Sequence, residues 1–246
     1  MDPPECAPHR NHNALILPAQ AGTFDIRMTT QAHPDRHVTE ALANSVTHGL
    51  GLVASLIALP VLIIAAASRR DPLQVTGAAI YGASLVILYG ASTLYHSFAQ
   101  SPARRMLRVI DHSAIYVLIA GSYTPFALGP LRGVFGYSLL VAVWTMAFAG
   151  IALKALKGFG KPWLSVAPYI VMGWIAIIGI RPLWIHVGPA GLGWLLAGGV
   201  FYTGGVVFYA NDKRMPYGHA LWHLCVLTGS ACHFLAVLWH SGGRAG

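Results

Sequence analysis

The sequence predicts an all-α polytopic membrane protein, a bundle of seven transmembrane helices with its N-terminus in the cytoplasm. Hydrophobic residues make up 55% of the 246-residue chain and charged residues only 10%, whereas soluble domains average about 25% charged residues. The apolar residues are gathered into seven segments, most of them close to the roughly 20 residues that a helix needs to cross a bilayer. The basic residues are distributed unevenly over the gaps between these segments, and such a bias sets the orientation of a membrane protein.

A polar tail precedes the predicted membrane domain. Residues 1–37 are rich in proline, and their one apolar run, Ala14–Leu17, is far shorter than the roughly 7–15 apolar residues of a signal-peptide core. We therefore predict that residues 1–37 are disordered. The seven-helix domain is predicted to cover residues 38–240, and residues 241–246 are predicted to form a short C-terminal tail.

The seven predicted helices follow one another with short gaps and no soluble insertion. Pro60, Pro125 and Pro168 fall inside these helices or near their ends, where a helix bundle tolerates prolines as kinks. Glycine and alanine are frequent throughout, which allows the helices to pack closely. The predicted helices are Asn44–Ala67, Val75–Phe98, Ile110–Leu128, Val134–Leu153, Leu164–Ile180, Ala190–Ala210 and Ala220–Leu238.

The distribution of lysine and arginine orients the predicted bundle. If the N-terminus is cytoplasmic, 11 of the 16 basic residues flank the inner ends of the helices and 5 flank the outer ends. Because cytoplasmic loops carry the excess of basic residues, we predict a protein of the cell inner (plasma) membrane with an external C-terminus. The net charge of +8 is thus a topology signal, and we expect no nucleic-acid partner. The inner residues are Arg10, Arg27, Arg36, Arg104, Arg105, Arg108, Lys154, Lys157, Lys161, Lys213 and Arg214, and the outer residues are Arg69, Arg70, Arg132, Arg181 and Arg244.

The last predicted helix carries a pair of histidines with metal-ligand spacing. His219 and His223 are four residues apart, so both imidazole rings lie on one face of a helix and can reach one metal ion. In the predicted orientation, His96 ends the second helix on the same side of the membrane. Three protein ligands that leave one position open are typical of catalytic zinc. We therefore predict a zinc site formed by His96, His219 and His223.

Two further polar side chains are expected at the same depth in the membrane. Ser92 precedes His96 by one helical turn, and Asp111 lies at the start of the third helix. An ionisable side chain in a membrane helix is a functional candidate by default, although Asp111 could also be an exposed charge that interacts with the helix dipole. Asp111 is predicted to be the only carboxylate near the metal site, and so the only one there that can act as a base.

Three other histidines are not predicted to bind the metal. His48 could hydrogen-bond within the first helix or support the site from it, and we favour the first arrangement. His233 follows His223 by ten residues, about 15 Å along a helix, which predicts a packed or hydrogen-bonded core residue. His112 follows Asp111 directly but is predicted to point about 100° away around the helix.

These residues resemble the signature motifs of the progestin and adipoQ receptor family, whose bacterial branch is called hemolysin III. The resemblance covers about residues 38–240. One departure is Ala220, where bacterial relatives often carry glutamate, and it leaves the metal ligands intact. The matching motifs are Glu40-x-x-x-Asn44-x-x-x-His48, Ser92-x-x-x-His96 followed by Asp111, and His219-x-x-x-His223, and the segments Gly121–Phe126 and Gly229–His233 also look like the bacterial branch.

The resemblance implies a seven-helix bundle with a cytoplasmic N-terminus and a zinc ion bound by His96, His219 and His223. It also implies that Ser92 and Asp111 lie beside the metal, with Asp111 reaching it through water. The family is similar to alkaline ceramidases, which cleave a lipid amide. Some members are receptors, and bacterial members are linked to membrane-lipid homeostasis.

We therefore expect a zinc-dependent integral membrane hydrolase that acts on a lipid, at an amide bond. Asp111 would take a proton from water and return it to the leaving amine. Ser92 would orient the water or the oxyanion by a hydrogen bond, and zinc would polarise the carbonyl group. The expected partners are membrane lipids, including a substrate or ligand whose acyl chain lies between apolar helices.

Three alternatives remain open from the sequence. The first is a receptor or regulator of lipid homeostasis in which the zinc is structural, because the same ligands serve both functions. The second is a membrane cytochrome that uses two of the histidines as axial haem ligands, which would have no use for Asp111 or Ser92 at the site. The third is a channel, but no ring of charged or polar residues lines a continuous path.

Overall fold

The computed structural model describes residues 34–158 and 162–242, and the structural statements below concern these residues. Their secondary structure is helical throughout, which confirms the predicted all-α class. The predicted disordered tail lies outside the described residues as far as residue 33, and the first helix begins at Pro34. Residues 243–246 of the predicted C-terminal tail also lie outside the described residues.

Each predicted segment corresponds to a helical stretch, and the fifth stretch is interrupted. Pro60, Pro125 and Pro168 lie inside helices, as predicted. The helices are α1 (Pro34–Ala67), α2 (Pro72–Ser97), α3 (Arg104–Leu128), α4 (Val134–Lys157), α5 (Pro162–Trp174), α6 (Ile180–His186), α7 (Gly188–Ala210) and α8 (Gly218–His240), with a 3₁₀ turn, Ile175–Gly179, between α5 and α6.

Six helical stretches of the described chain are long and apolar enough to cross a membrane, which makes this a multi-pass membrane protein. The long helix outside this set is α3, whose first turns carry Arg104, Arg105, Arg108 and Asp111 and are therefore polar. The predicted count of seven spans and the predicted cytoplasmic N-terminus thus stay predictions. The six stretches are Val38–Ala67, Pro72–Ser97, Val134–Leu156, Ser165–His186, Gly188–Ala210 and Gly218–His240.

The interruption between α5 and α6 is stabilised by a tyrosine from α3. A break in a membrane helix frees backbone groups that need other partners, because the bilayer core offers no water. The hydroxyl group of Tyr123 lies 2.7 Å from the carbonyl oxygen of Gly173 and 3.0 Å from that of Met172. The same oxygen accepts a hydrogen bond from the backbone N–H of Ala176 at 3.0 Å. The predicted single helix is therefore two helices joined by a turn that Tyr123 holds.

The first and last helices are neighbours in the bundle, where α1 packs against α2 and α8. Just beyond the end of α1, the guanidinium group of Arg69 donates a hydrogen bond to the carbonyl oxygen of Leu238 at 2.8 Å. Near the start of α1, the carboxylate of Glu40 accepts one from the backbone N–H of Tyr217 at 3.3 Å. Helix α1 is therefore attached to both ends of the helix that carries the predicted histidine pair.

Candidate metal centre

The histidine pair lies in the first two turns of α8, directly after a constrained turn. Tyr217 precedes this helix in the left-handed region, with φ of 56° and ψ of 17°, which non-glycine residues seldom adopt. The contact with Glu40 described above holds this residue from α1. His219 and His223 then follow four residues apart, so the helix directs both rings to the same side.

The structure brings His96 of α2 to the same place as the two histidines of α8. The ring centroid of His96 lies 5.0 Å from that of His219 and 4.9 Å from that of His223. The centroids of the two α8 rings are 4.7 Å apart. One ring nitrogen from each histidine lies within 4.8 Å of the others, so the three could hold a metal ion. We call these three residues the histidine cluster. It contains no carboxylate.

The hydrogen bonding of the histidine cluster fits a metal site. The Nε2 atoms of His96 and His223 are buried and have no hydrogen-bond partner among the described residues. Leaving a buried polar group unpaired costs about 1–3 kcal/mol, and neutral imidazole nitrogen is a common ligand of transition metals. A metal ion would give these nitrogens the partner that the protein does not.

The outer nitrogens of the two α8 histidines face oxygen atoms from other parts of the chain. Nδ1 of His223 lies 3.1 Å from the hydroxyl oxygen of Thr47, which itself donates to the carbonyl oxygen of Ala43 at 2.8 Å. Nδ1 of His219 lies 3.5 Å from a carboxylate oxygen of Asp212. Histidines that bind metals commonly donate the other ring N–H to such oxygens, which fixes the ring and its tautomer.

Asp212 corrects the prediction that Asp111 is the only carboxylate near the site. It lies in the loop between α7 and α8, seven residues before His219, and no sequence spacing rule brings such a loop residue onto a helix. The hydrogen bond from His219 lowers the pKa of the Asp212 carboxyl group below its ordinary value. Asp212 therefore carries a negative charge at neutral pH beside the cluster.

Asp111 and Ser92 are both buried. Asp111 directly precedes His112 on α3, and Ser92 lies one turn before His96 on α2. The Asp111 carboxylate lies 3.4 Å from Nδ1 of His112, and the same nitrogen lies 3.0 Å from the carbonyl oxygen of Arg108. The side chains of His112 and Asp111 are therefore in contact, although adjacent positions on a helix lie about 100° apart. Among the described residues, the Ser92 hydroxyl makes no hydrogen bond to Asp111 or to the histidine cluster.

His48 lies against the cluster and not, as predicted, in a hydrogen bond within α1. Its side chain is 2% exposed, and neither ring nitrogen has a hydrogen-bond partner among the described residues. The ring stacks on that of His223 with centroids 3.5 Å apart and planes 18° from parallel. The ring of Tyr89 meets it edge-on at 5.1 Å. The favoured arrangement is therefore wrong, and the structure places His48 beside the site, as the other arrangement supposed.

An apolar cavity of about 200 Å³ extends from this region through the bundle. His48 and Asp111 line it at the cluster end. On α3 its lining continues as far as Phe126, about 22 Å from Asp111 along the helix axis. His233 lines the cavity further along α8, and its Nε2 atom lies 3.2 Å from the carbonyl oxygen of Leu195. This contact confirms the prediction that His233 is a packed or hydrogen-bonded core residue.

The comparison with known proteins agrees with the motifs that surround this site. A family model described as haemolysin-III related matches residues 36–234. The chain belongs to the haemolysin-III-related family. This membership confirms the resemblance predicted from the spacing of the histidine, serine and aspartate residues.

Three relatives show how far the similarity extends within and beyond bacteria. The chain is 45% identical over 203 residues to the hemolysin-3 homolog of Bacillus subtilis (strain 168), which covers 82% of this chain and 95% of that protein. It is 43% identical over 205 residues to hemolysin-3 of Bacillus cereus, with 82% and 92% covered. The human monocyte to macrophage differentiation factor is 30% identical over 207 residues, with 80% and 83% covered. No solved structure matches the chain significantly.

Proposed function

We propose that this protein is a zinc-dependent membrane hydrolase that cleaves an amide bond in a lipid. The observation that carries the proposal is the histidine cluster, in which the Nε2 atoms of His96 and His223 are buried and unpaired. An apolar cavity begins beside the cluster, at His48, whose ring stacks on that of His223. Such a cavity can hold the acyl chain of a lipid while the polar end of the lipid faces the cluster. When bound, zinc supplies Lewis acidity, which polarises a carbonyl oxygen and makes water a stronger acid.

The residues around the cluster supply the remaining chemistry. Asp111 accepts a proton from the attacking water and returns it to the nitrogen of the leaving amine, so hydrolysis gives a carboxylic acid and an amine. The Nδ1 atom of His112, 3.4 Å away, holds the carboxylate in position. Ser92, one turn from His96, donates a hydrogen bond to the carbonyl oxygen as negative charge develops on it.

A regulatory or receptor-like protein with structural zinc is the second candidate. It is favoured by one observation, the lack of a hydrogen bond from Ser92 to Asp111 or to the histidine cluster within the described chain. A structural zinc would use the same three ligands and would need neither a base nor an oxyanion donor. Under this alternative the cavity would bind a lipid that is not cleaved.

Turnover by the purified protein distinguishes the two candidates. Zinc-loaded protein in detergent is given a panel of N-acyl amides and the matched esters, and release of fatty acid is measured. We expect amide hydrolysis that stops when zinc is chelated and returns when zinc is restored. The control is His186→Ala, which removes an exposed histidine of α6 that is not part of the cluster. Zinc-loaded protein that cleaves none of the panel would favour the regulator.

Replacing Asp212 with asparagine should weaken zinc binding about 10- to 100-fold, the usual effect of losing an outer partner of a metal-bound histidine. Asparagine keeps the shape of the side chain but loses the charge that faces Nδ1 of His219 at 3.5 Å. Competition with a chromogenic chelator measures the affinity. Asp71→Asn is the matched control, because Asp71 precedes α2 and His96 lies near the other end of that helix. Equal zinc affinity in the Asp212 variant and the wild type would contradict the assigned contact.

We further propose a cytoplasmic N-terminus and an external C-terminus in the cell inner (plasma) membrane, supported by the bias in basic residues. Opposite ends on opposite sides require an odd number of crossings, so α3 must then cross as well as the six apolar stretches. Alkaline phosphatase is active only when it is exported from the cytoplasm, so a fusion after Gly246 should be active. Fusions after Ser101 and after Arg132 test α3 directly and should report opposite sides. Identical activity at these two positions would remove α3 from the set of spans.

A further inference from the structure

We infer that His48 forms a polar subsite at the cluster end of the cavity, which binds an amide or hydroxyl group of the ligand. The inference deepens the proposed function, since it rests on the cavity being the ligand site. His48 lines that cavity together with Asp111 and is 2% exposed. Both of its ring nitrogens are buried, and no described residue hydrogen-bonds to either of them.

The geometry excludes His48 from sharing an ion with His223. A metal ion lies close to the plane of an imidazole ring that binds it, because the nitrogen lone pair lies in that plane. The rings of His48 and His223 are stacked 3.5 Å apart and nearly parallel. An ion in the plane of His223 would therefore lie far from the plane of His48. The role of His48 is thus distinct from the roles of the three cluster histidines.

The surroundings of His48 point to a partner in the cavity. Its ring packs against His223 and Tyr89, which contact it through their rings and offer no hydrogen bond to its nitrogens. One turn earlier on α1, the side-chain oxygen of Asn44 is also buried and unpaired. Two unpaired polar side chains one turn apart lie on the same face of a helix. Of the two, His48 lines the cavity and Asn44 does not, so a ligand in the cavity can give the His48 nitrogens the partners that the protein does not.

The chemistry of imidazole indicates the class of group that fits. Neutral imidazole has one N–H donor and one nitrogen acceptor. A secondary amide or a hydroxyl group both donates and accepts, so it matches this set, whereas a hydrocarbon satisfies neither nitrogen. A site built to hydrogen-bond such a group discriminates against a ligand that lacks it. His48 therefore selects the polar part of the ligand, and the apolar cavity selects its chain.

The test compares two probes of equal chain length, N-methylpalmitamide and hexadecane, on the full-length protein in one detergent. The variant His48→Phe keeps a ring that can stack on His223 but has no nitrogens, and His48→Gln keeps hydrogen-bonding capacity without the ring. His186→Phe is the matched control for a histidine-to-phenylalanine change on the exposed surface. Zinc content is measured on the same preparations. Probe affinities are expressed per mole fraction in the micelle.

We expect His48→Phe to bind the amide probe about tenfold more weakly, the worth of one hydrogen bond, and to bind hexadecane as the wild type does. His48→Gln should recover part of the loss, and His186→Phe should change neither affinity. Unchanged amide binding in His48→Phe would overturn the inference, and so would a loss of zinc, which would make His48 part of the metal site. Wild-type protein without zinc would refute the proposed hydrolase, while the binding comparison would still decide the role of His48.

Discussion

Asp111→Asn should leave zinc bound and lower lipid hydrolysis by about 10²- to 10⁴-fold, the usual contribution of general acid–base catalysis. Asparagine has nearly the same shape and can still face Nδ1 of His112, which lies 3.4 Å from the carboxylate. It cannot accept a proton from water at neutral pH. Zinc content and turnover are measured on the same preparation. Asp71→Asn is the control, because Asp71 is an acidic residue outside the site.

The combined measurement separates three roles for Asp111. Loss of hydrolysis with zinc retained indicates a base, and loss of zinc would make Asp111 a direct ligand. A chain that binds zinc and hydrolyses nothing, in the wild type as well as in the variant, would indicate a structural metal. Turnover equal to that of the wild type in Asp111→Asn would refute the proposed mechanism.

Purified protein should contain about one zinc ion per chain, and His219→Ala or His223→Ala should remove most of it. Each substitution removes one of three nitrogens that lie within 4.8 Å of one another. Elemental analysis of detergent-purified protein provides the measurement. His186→Ala controls for the loss of a histidine elsewhere and should retain the metal. If both cluster variants kept one zinc ion per chain, the assignment of these ligands would fail.

The features that depend on local periodicity could be predicted from the sequence. His219 and His223 share a face because they are four residues apart on a helix, whatever the rest of the chain does. The helical segments follow in the same way from the length of each apolar run. The position of His96 beside them can be predicted from the helix ends that share one side of the membrane.

The features that depend on packing could not be predicted. The direction of His48 is set by the way α1 packs against α2 and α8, and the sequence favours a hydrogen bond within α1 instead. The contact of Asp212 with His219 depends on the path of the loop before α8, which passes through the left-handed conformation at Tyr217. The turn between α5 and α6 depends on Tyr123 of another helix, which no pattern within the segment reveals.

The arrangement of the histidine cluster also has a consequence for biosynthesis. His96 and His219 are 123 positions apart in the chain, so at about 5–20 residues per second the ribosome makes them roughly 6–25 s apart. The second and third histidines belong to the last helix, which must insert beside the first before the three nitrogens can meet. A nascent chain that stops after α7 carries one histidine of the cluster and cannot retain an ion there. Retention of the metal would therefore report that the whole chain has been inserted and assembled.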